Sequence, residues 1–304
     1  MSYPYLSDAV KALTGIDLPL PLPTFGLLVV CAMFAAAYCL KAELRRLHQA
    51  GRIGNARRRP GAKEKSLAGA SGWIETPPQE IVSDLTFTVM LAGIVGARFF
   101  HILEHLDSFA AAPWDMIFSR SGLSIFGGLI FGTIAGVLFV RRWHLPAGPM
   151  LDAVAPAMML GYAIGRIGCQ ISGDGDWGGP ANMALKPDWV PLWAWAQTYD
   201  NNIIGEVIAA PGVYPTPIYE TVMGLACFAL LWALRKHPFK TGWLFSGYLL
   251  MAGVERLLIE QIRVNPVLEL AGVHATQAQM IAVALICCGV AGMAMLGRRR
   301  ALAA

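Results

Sequence analysis

The feature that most constrains this chain is the recurrence of apolar runs about twenty residues long, the length a helix needs to cross a hydrocarbon core of ~30 Å. Seven such runs are read, at roughly 22–41, 81–103, 122–140, 151–171, 215–234, 242–262 and 276–297. Lipid offers no partner to a bare peptide group, so spanning segments fold as helices or closed barrels. Barrel strands need only about ten residues. The 304 residues are 56% hydrophobic and 14% charged, which excludes an ordinary soluble domain. The expected fold class is all-α: a polytopic membrane protein of about seven transmembrane helices, with residues 1–304 as one integral membrane domain. Met1 to Leu18 lacks a basic segment followed by an apolar core, so no cleavable signal peptide is expected.

Basic residues orient the helices. Lys41, Arg45, Arg46, Arg52, Arg57, Arg58, Arg59, Lys63 and Lys65 follow the first run; Arg141 and Arg142 follow the third. Arg235, Lys236 and Lys240 follow the fifth, and Arg298 to Arg300 the seventh. On a seven-span path these fall on one side, which places the N-terminus outside and the C-terminus in the cytoplasm. Residues 42–75 are then a flexible basic cytoplasmic loop. The net charge of +4 is read as contact with anionic lipid, so no nucleic-acid partner is expected. Residues 172–214 form a long outer connection rich in tryptophan, read either as a lid over a substrate or as a hairpin lying on lipid.

Polar residues inside such runs are costly and therefore informative. Gly161 to Gly178 reads G-Y-A-I-G-R-I-G-C-Q-I-S-G-D-G-D-W-G, with an arginine and two aspartates at the end of the fourth run. Arg98, Arg166, Arg256 and Arg263 all fall toward the outer ends of spans. Their planar forks suit phosphate, and the alternative is snorkelling to the headgroups. Arg256, Glu260 and Arg263 are spaced to share one helical face, as a ligand stripe or as a self-neutralised packing interface. Glu220 follows Tyr219 where Pro215 and Pro217 set a helix entry. Gly132, Gly136, Gly161 and Gly165 are read as packing positions, whereas Gly127 and Gly128 can also line a site. His101 to His105, H-I-L-E-H, matches a short zinc-protease pattern without a second acidic ligand; no metal or cofactor is expected. The six cysteines are read as small buried hydrophobes, with Cys169 set apart by its place in the glycine-rich segment. His48, His144, His237 and His274 are read as surface residues. Mid-depth prolines and internal repeats, the marks of a transporter, are not recognised.

These residues resemble the prolipoprotein diacylglyceryl transferase family through nearly the whole chain. G-R-I-G-C-Q-I-S-G-D-G-D-W-G at Gly165 to Gly178 is similar to the family's G-R-[IL]-G-N-F-[IL]-N-G-E-x-W-G. S-G-L-S-I-F-G-G-L-I-F-G resembles G-[GM]-[ST]-F-H-G-G-L-I-G, and Y-P-T-P-I-Y-E resembles H-P-[ST]-Q-L-Y-E. G-A-R-F-F-H at Gly96 to His101 also resembles a family segment, and Arg256, Glu260 and Arg263 match its R-x-x-x-E-x-x-R. The resemblance implies transfer of the diacylglyceryl group of phosphatidylglycerol to the cysteine thiol of a lipoprotein precursor. Glycerol phosphate leaves and a thioether forms. It implies catalytic roles for Arg166 and Arg256, holding the lipid phosphate, and for Glu260, orienting them. Arg98, His101, Gly127, Gly128, Gly173, Asp174, Tyr219, Glu220 and Arg263 would bind substrate, with Asp174 where the family has glutamate. The partners implied are an anionic phospholipid and precursor signal peptides, in the bacterial inner (plasma) membrane. Phe126 stands where the family has the histidine that is the usual candidate base, Phe25 and Ala252 where it has tyrosines, and Cys169 where it has asparagine. A base would then come from His101 or Glu220. The alternative is a phospholipid-binding paralogue that has lost its proton-handling residues.

Overall fold

The structure is a computed structural model that describes residues 2–17, 19, 22–61, 72–118, 122, 124–270 and 273–297. Met1, Leu18, Lys63, Lys65 and Arg298 to Arg300, named above, lie outside the described residues, as do Ser121 and Leu123 of the S-G-L-S-I-F-G-G motif. The helices are α1 (Leu6–Thr14), α2 (Thr24–Gln49), α3 (Val82–Glu104), α4 (Leu106–Ala111), α5 (Pro113–Phe118), α6 (Ile125–Arg142), α7 (Ala147–Ser172), α8 (Thr216–Leu234), α9 (Trp243–Glu260) and α10 (Gln277–Leu296). Two short antiparallel hairpins join them: β1 (Ala56–Arg58) with β2 (Ile74–Thr76), and β3 (Val267–Leu270) with β4 (Val273–Thr276).

Among the described residues seven long helices fall on the seven apolar runs. Six of them, α2, α3, α6, α7, α8 and α10, are long and apolar enough to cross a membrane. The remaining one, α9, carries Glu255, Arg256 and Glu260 within 18 residues. Large apolar side chains such as Phe34, Tyr38, Phe87, Ile125 and Leu129 are exposed along the helices, the arrangement expected where the surrounding solvent is hydrocarbon. For the same reason Cys31, Cys287 and Cys288 are exposed rather than buried. Pro156 lies inside α7, which continues through it, so this proline does not break the helix.

The chain forms two compact units, Met1–Cys39 with Leu151–Ala304, and Leu40–Met150. In the first, Ala155, Met159, Leu231 and Leu244 make a fully buried core among α7, α8 and α9. Buried Asp152 on α7 accepts from the backbone N–H of Gly242 (2.8 Å) and Phe245 (3.1 Å), so a carboxylate from another helix caps the start of α9. His237 is buried beside it, Nε2 3.6 Å from Asp152 Oδ2, and is not a surface residue. Glycines bring helices together. A methyl on Gly253 would meet the Ala282 carbonyl at 2.7 Å, and one on Gly289 the Leu250 nitrogen at 2.6 Å, so α9 and α10 touch backbone to backbone. Gly161 packs on Ala36 of α2, but a methyl on Gly165 would meet none of the described residues within 4 Å, against its packing expectation.

In the second unit α3 and α6 pair by the same device. Gly96 and Gly127 each approach the other's carbonyl, and Gly93 faces Gly128. The basic stretch 42–75 is partly regular: its first residues continue α2, and Arg57 pairs with Glu75 in the hairpin. Arg57 and Arg59 lie against Trp73 at 5.6 and 5.5 Å. Three-residue strands carry too little periodicity to be read from sequence.

Candidate active site

The site in the first unit is assembled by the glycine-rich segment that follows α7. Gly173 ends the helix in the left-handed conformation (φ 63°), its N–H donating to the Cys169 carbonyl. A side chain there would meet Ser2 and Asn202. The segment then runs between two helix ends. Gly178 N–H donates to the Tyr214 carbonyl (2.9 Å), just before α8, and Gly179 N–H to the Ile262 carbonyl (2.8 Å), just after α9. Thr216, beside the prolines that open α8, donates its hydroxyl to the Asp176 carbonyl at 2.7 Å. One loop thus sets the relative positions of Arg166 on α7, Glu220 on α8, and Arg256 and Glu260 on α9.

Three guanidiniums converge on three carboxylates. Glu220 is fully buried; its Oε1 lies 3.2 Å from Arg166, 3.8 Å from Arg263 and 4.0 Å from Arg256, and accepts the Tyr162 hydroxyl at 3.0 Å. Arg166 lies over the Tyr162 ring at 5.2 Å. Glu260 is an ion-pair partner of Arg256 at 3.0 Å, without the alignment of a hydrogen bond. Its other oxygen accepts from Thr276 (2.6 Å) and Asn265 (2.8 Å). Asp176 bridges Arg166 and Arg263. Burial alone would raise the Asp176 carboxyl, but the two arginines outweigh it and hold it below its usual range. Asp174 has no such clamp, and burial pushes it up. An isolated buried charge costs several kcal/mol, so this density of paired charge at the ends of apolar helices makes the cluster the candidate functional site.

Arg166, Arg256, Arg263, Glu220 and Glu260 therefore come together, with Gly173 and Asp174 in the loop above them. Arg263 differs from the one-face expectation: α9 stops at Glu260, and Arg263 arrives from the turn beyond it. Tyr219 donates its hydroxyl to the Ala194 carbonyl (2.7 Å), tying the long connection 172–214 to α8. Asp176 and Tyr162 lie in the segment that the sequence singled out, but neither was given a site role. The aspartate stood in the motif already singled out, but one inserted residue relative to the family pattern left two acids competing for one position. Arg98, His101, Gly127 and Gly128 belong to the second unit. There Arg98 donates to the Gly122 carbonyl (2.9 Å), His101 packs on Gly122, and both glycines serve the α3–α6 contact. Among the described residues two groups could offer donor atoms to a metal: His101, Glu104 and His105, and Cys169, Asp174 and Asp176. In the second, Asp176 is engaged by arginines.

The model of the prolipoprotein diacylglyceryl transferase family matches residues 12–295. The chain belongs to this family. It is similar to the phosphatidylglycerol–prolipoprotein diacylglyceryl transferase of Leptospira interrogans, 29% identical over 287 residues, covering 86% of this chain and 77% of that one. The enzyme of the same name from Gloeobacter violaceus is 31% identical over 232 residues, covering 73% and 79%. That from Bacillus cereus is 32% identical over 191 residues, covering 62% and 67%. Family and apolar helices together make this chain a multi-pass bacterial membrane protein and a transferase.

Proposed function

We propose that the chain transfers the diacylglyceryl group of phosphatidylglycerol to the cysteine thiol of a prolipoprotein, at the arginine cluster of the first unit. The observation that carries this is the convergence of Arg166, Arg256 and Arg263 from three chain segments on one buried carboxylate, Glu220. In the reaction the thiol sulfur attacks the glyceryl carbon bonded to the phosphate oxygen. That C–O bond breaks, the electron pair leaves with the phosphate, and the thiol proton is lost. The phosphate passes from one negative charge to two. Arg166 and Arg256 oppose that growing charge where it develops. Glu260 holds Arg256 in place, and Glu220 keeps three like charges within one small volume. Glu220 accepts from Tyr162 and faces three guanidiniums, which suits it to a fixed counter-charge better than to a travelling base. A cysteine thiol is partly ionised near neutral pH, so transfer can proceed with Phe126 in the place of the family's histidine.

The membrane is the bacterial inner membrane, with seven spans, the N-terminus outside and α9 as the charged sixth span facing its neighbours. The connection 172–214, held to α8 by Tyr219, covers the site as a lid, and the acceptor arrives as the signal peptide of the precursor.

The test is transfer of label from glycerol-labelled phosphatidylglycerol to a lipobox peptide by the purified protein. The parent chain is expected to label the peptide. Arg166→Ala and Arg256→Ala are expected to lose roughly 10²–10³-fold, the cost of removing one preorganised donor. Unchanged rates in both variants would refute the assignment. Saturable lipid binding with no labelled peptide would make the chain a phospholipid-binding paralogue.

A further inference from the structure

We infer that Asp176 is an internal anion that occupies the Arg166 and Arg263 side of the phosphate position and exchanges with the phosphodiester of the lipid. This inference rests on the phosphate-site reading above and adds a residue that reading does not use. Asp176 sits between Arg166 and Arg263, and of the three ion-paired carboxylates it alone has a partly exposed side chain (32%); those of Glu220 and Glu260 are fully buried. With Asp176 in place, three guanidiniums meet three carboxylates and the ion-paired set is neutral. A phosphodiester would then enter a site with no net attraction for it. With the Asp176 side chain turned away, Glu220 and Glu260 leave one net positive charge, which matches the single negative charge of a phosphodiester. Glu255 is buried nearby on α9 and, among the described residues, is ion-paired to none of the three arginines.

The backbone around Asp176 is pinned. Its carbonyl accepts from Thr216, Gly178 donates to Tyr214, and Trp177 stacks on Tyr199 with ring centroids 4.9 Å apart. Exchange is therefore a rotation of one short side chain with two torsions, not a loop movement. It serves both halves of a turnover. Between turnovers the carboxylate spares the arginines an uncompensated buried charge. After transfer the leaving glycerol phosphate carries two negative charges and is held more tightly than the substrate; a tethered carboxylate returning to Arg166 and Arg263 competes it off.

The experiment measures binding of the soluble headgroup glycerophosphoglycerol to the purified full chain, and KM and kcat for phosphatidylglycerol. It compares the parent with Asp176→Asn, Asp176→Ser and Asp176→Glu. Two neutral variants are used so that misfolding of one does not remove the test. Removing an internal competitor is expected to tighten headgroup binding roughly tenfold. KM should fall, kcat should fall with it, and inhibition by glycerol phosphate should strengthen. Asp176→Glu keeps the charge and should bind like the parent. Weaker or unchanged binding in a folded neutral variant would overturn the inference while leaving the phosphate site intact. If the parent binds no phosphodiester and Arg166→Ala changes nothing, the phosphate site itself fails and the inference falls with it.

Discussion

Thr276 shows how a residue remote from any substrate can set the site. Its hydroxyl caps α10 through Gln279 and also donates to Glu260 at 2.6 Å. Thr276→Val is expected to cost about 1 kcal/mol through the lost cap and to lower kcat through a misplaced Arg256. Thr276→Ser should restore both, as read by thermal melting in detergent and by the transfer assay. Asp176 contributes to the acid side of the stability profile. Its carboxyl is held below its ordinary value of 3.8 because the arginines outweigh burial. A folded value below the unfolded one gives stability that is present above the unfolded value and lost as pH falls through the folded one. Asp176→Asn should therefore melt lower than the parent at pH 7, with the difference starting to close only as pH falls below the ordinary carboxylate value. Asp174 has the opposite sign: burial raises it, so Asp174→Asn should melt higher than the parent at pH 7 and lose that advantage below the ordinary carboxylate value. The arginines were legible from sequence because a charge in an apolar run is costly to keep and so stands out from its neighbours. Asp176 was not, because an aspartate among glycines reads equally well as a turn residue, and only the fold brings it between Arg166 and Arg263.

At the scale of elements, the long helices were legible for a simple reason: each falls on a largely apolar run of about twenty residues, too long for a barrel strand, and lipid then leaves the backbone a helix. The short elements obey no such constraint. The hairpin β3–β4 and helices α4 and α5 are each six residues or fewer per segment, too short to show a period. What holds the long helices together is close backbone approach, and this makes a test. Gly253→Leu on α9 would press into Ala282 and Ile286 of α10. It is expected to destabilise by about 1–3 kcal/mol. Gly165→Ala meets none of the described residues and should be nearly silent in the same melting measurement. The Asp152 cap gives a further value: Asp152→Ala leaves the first N–H groups of α9 unpaired and should cost about 1 kcal/mol or more.

At the scale of the whole molecule, the proposed topology puts seven helices across the membrane with the N-terminus outside. A cysteine introduced at Ser7 should react with a membrane-impermeant maleimide applied to intact spheroplasts, and one introduced at His48 should react only after lysis; the reverse pattern would invert the topology. Among the long helices α9 departs from the apolar rule because it carries Glu255, Arg256 and Glu260 toward its end. The most direct test is the structure of the protein solved in a lipid disc of phosphatidylglycerol. A lipid phosphate is predicted within hydrogen-bond distance of Arg166 and Arg256. A phosphate bound elsewhere, with both arginines still paired only to Asp176, Glu220 and Glu260, would contradict the proposed site.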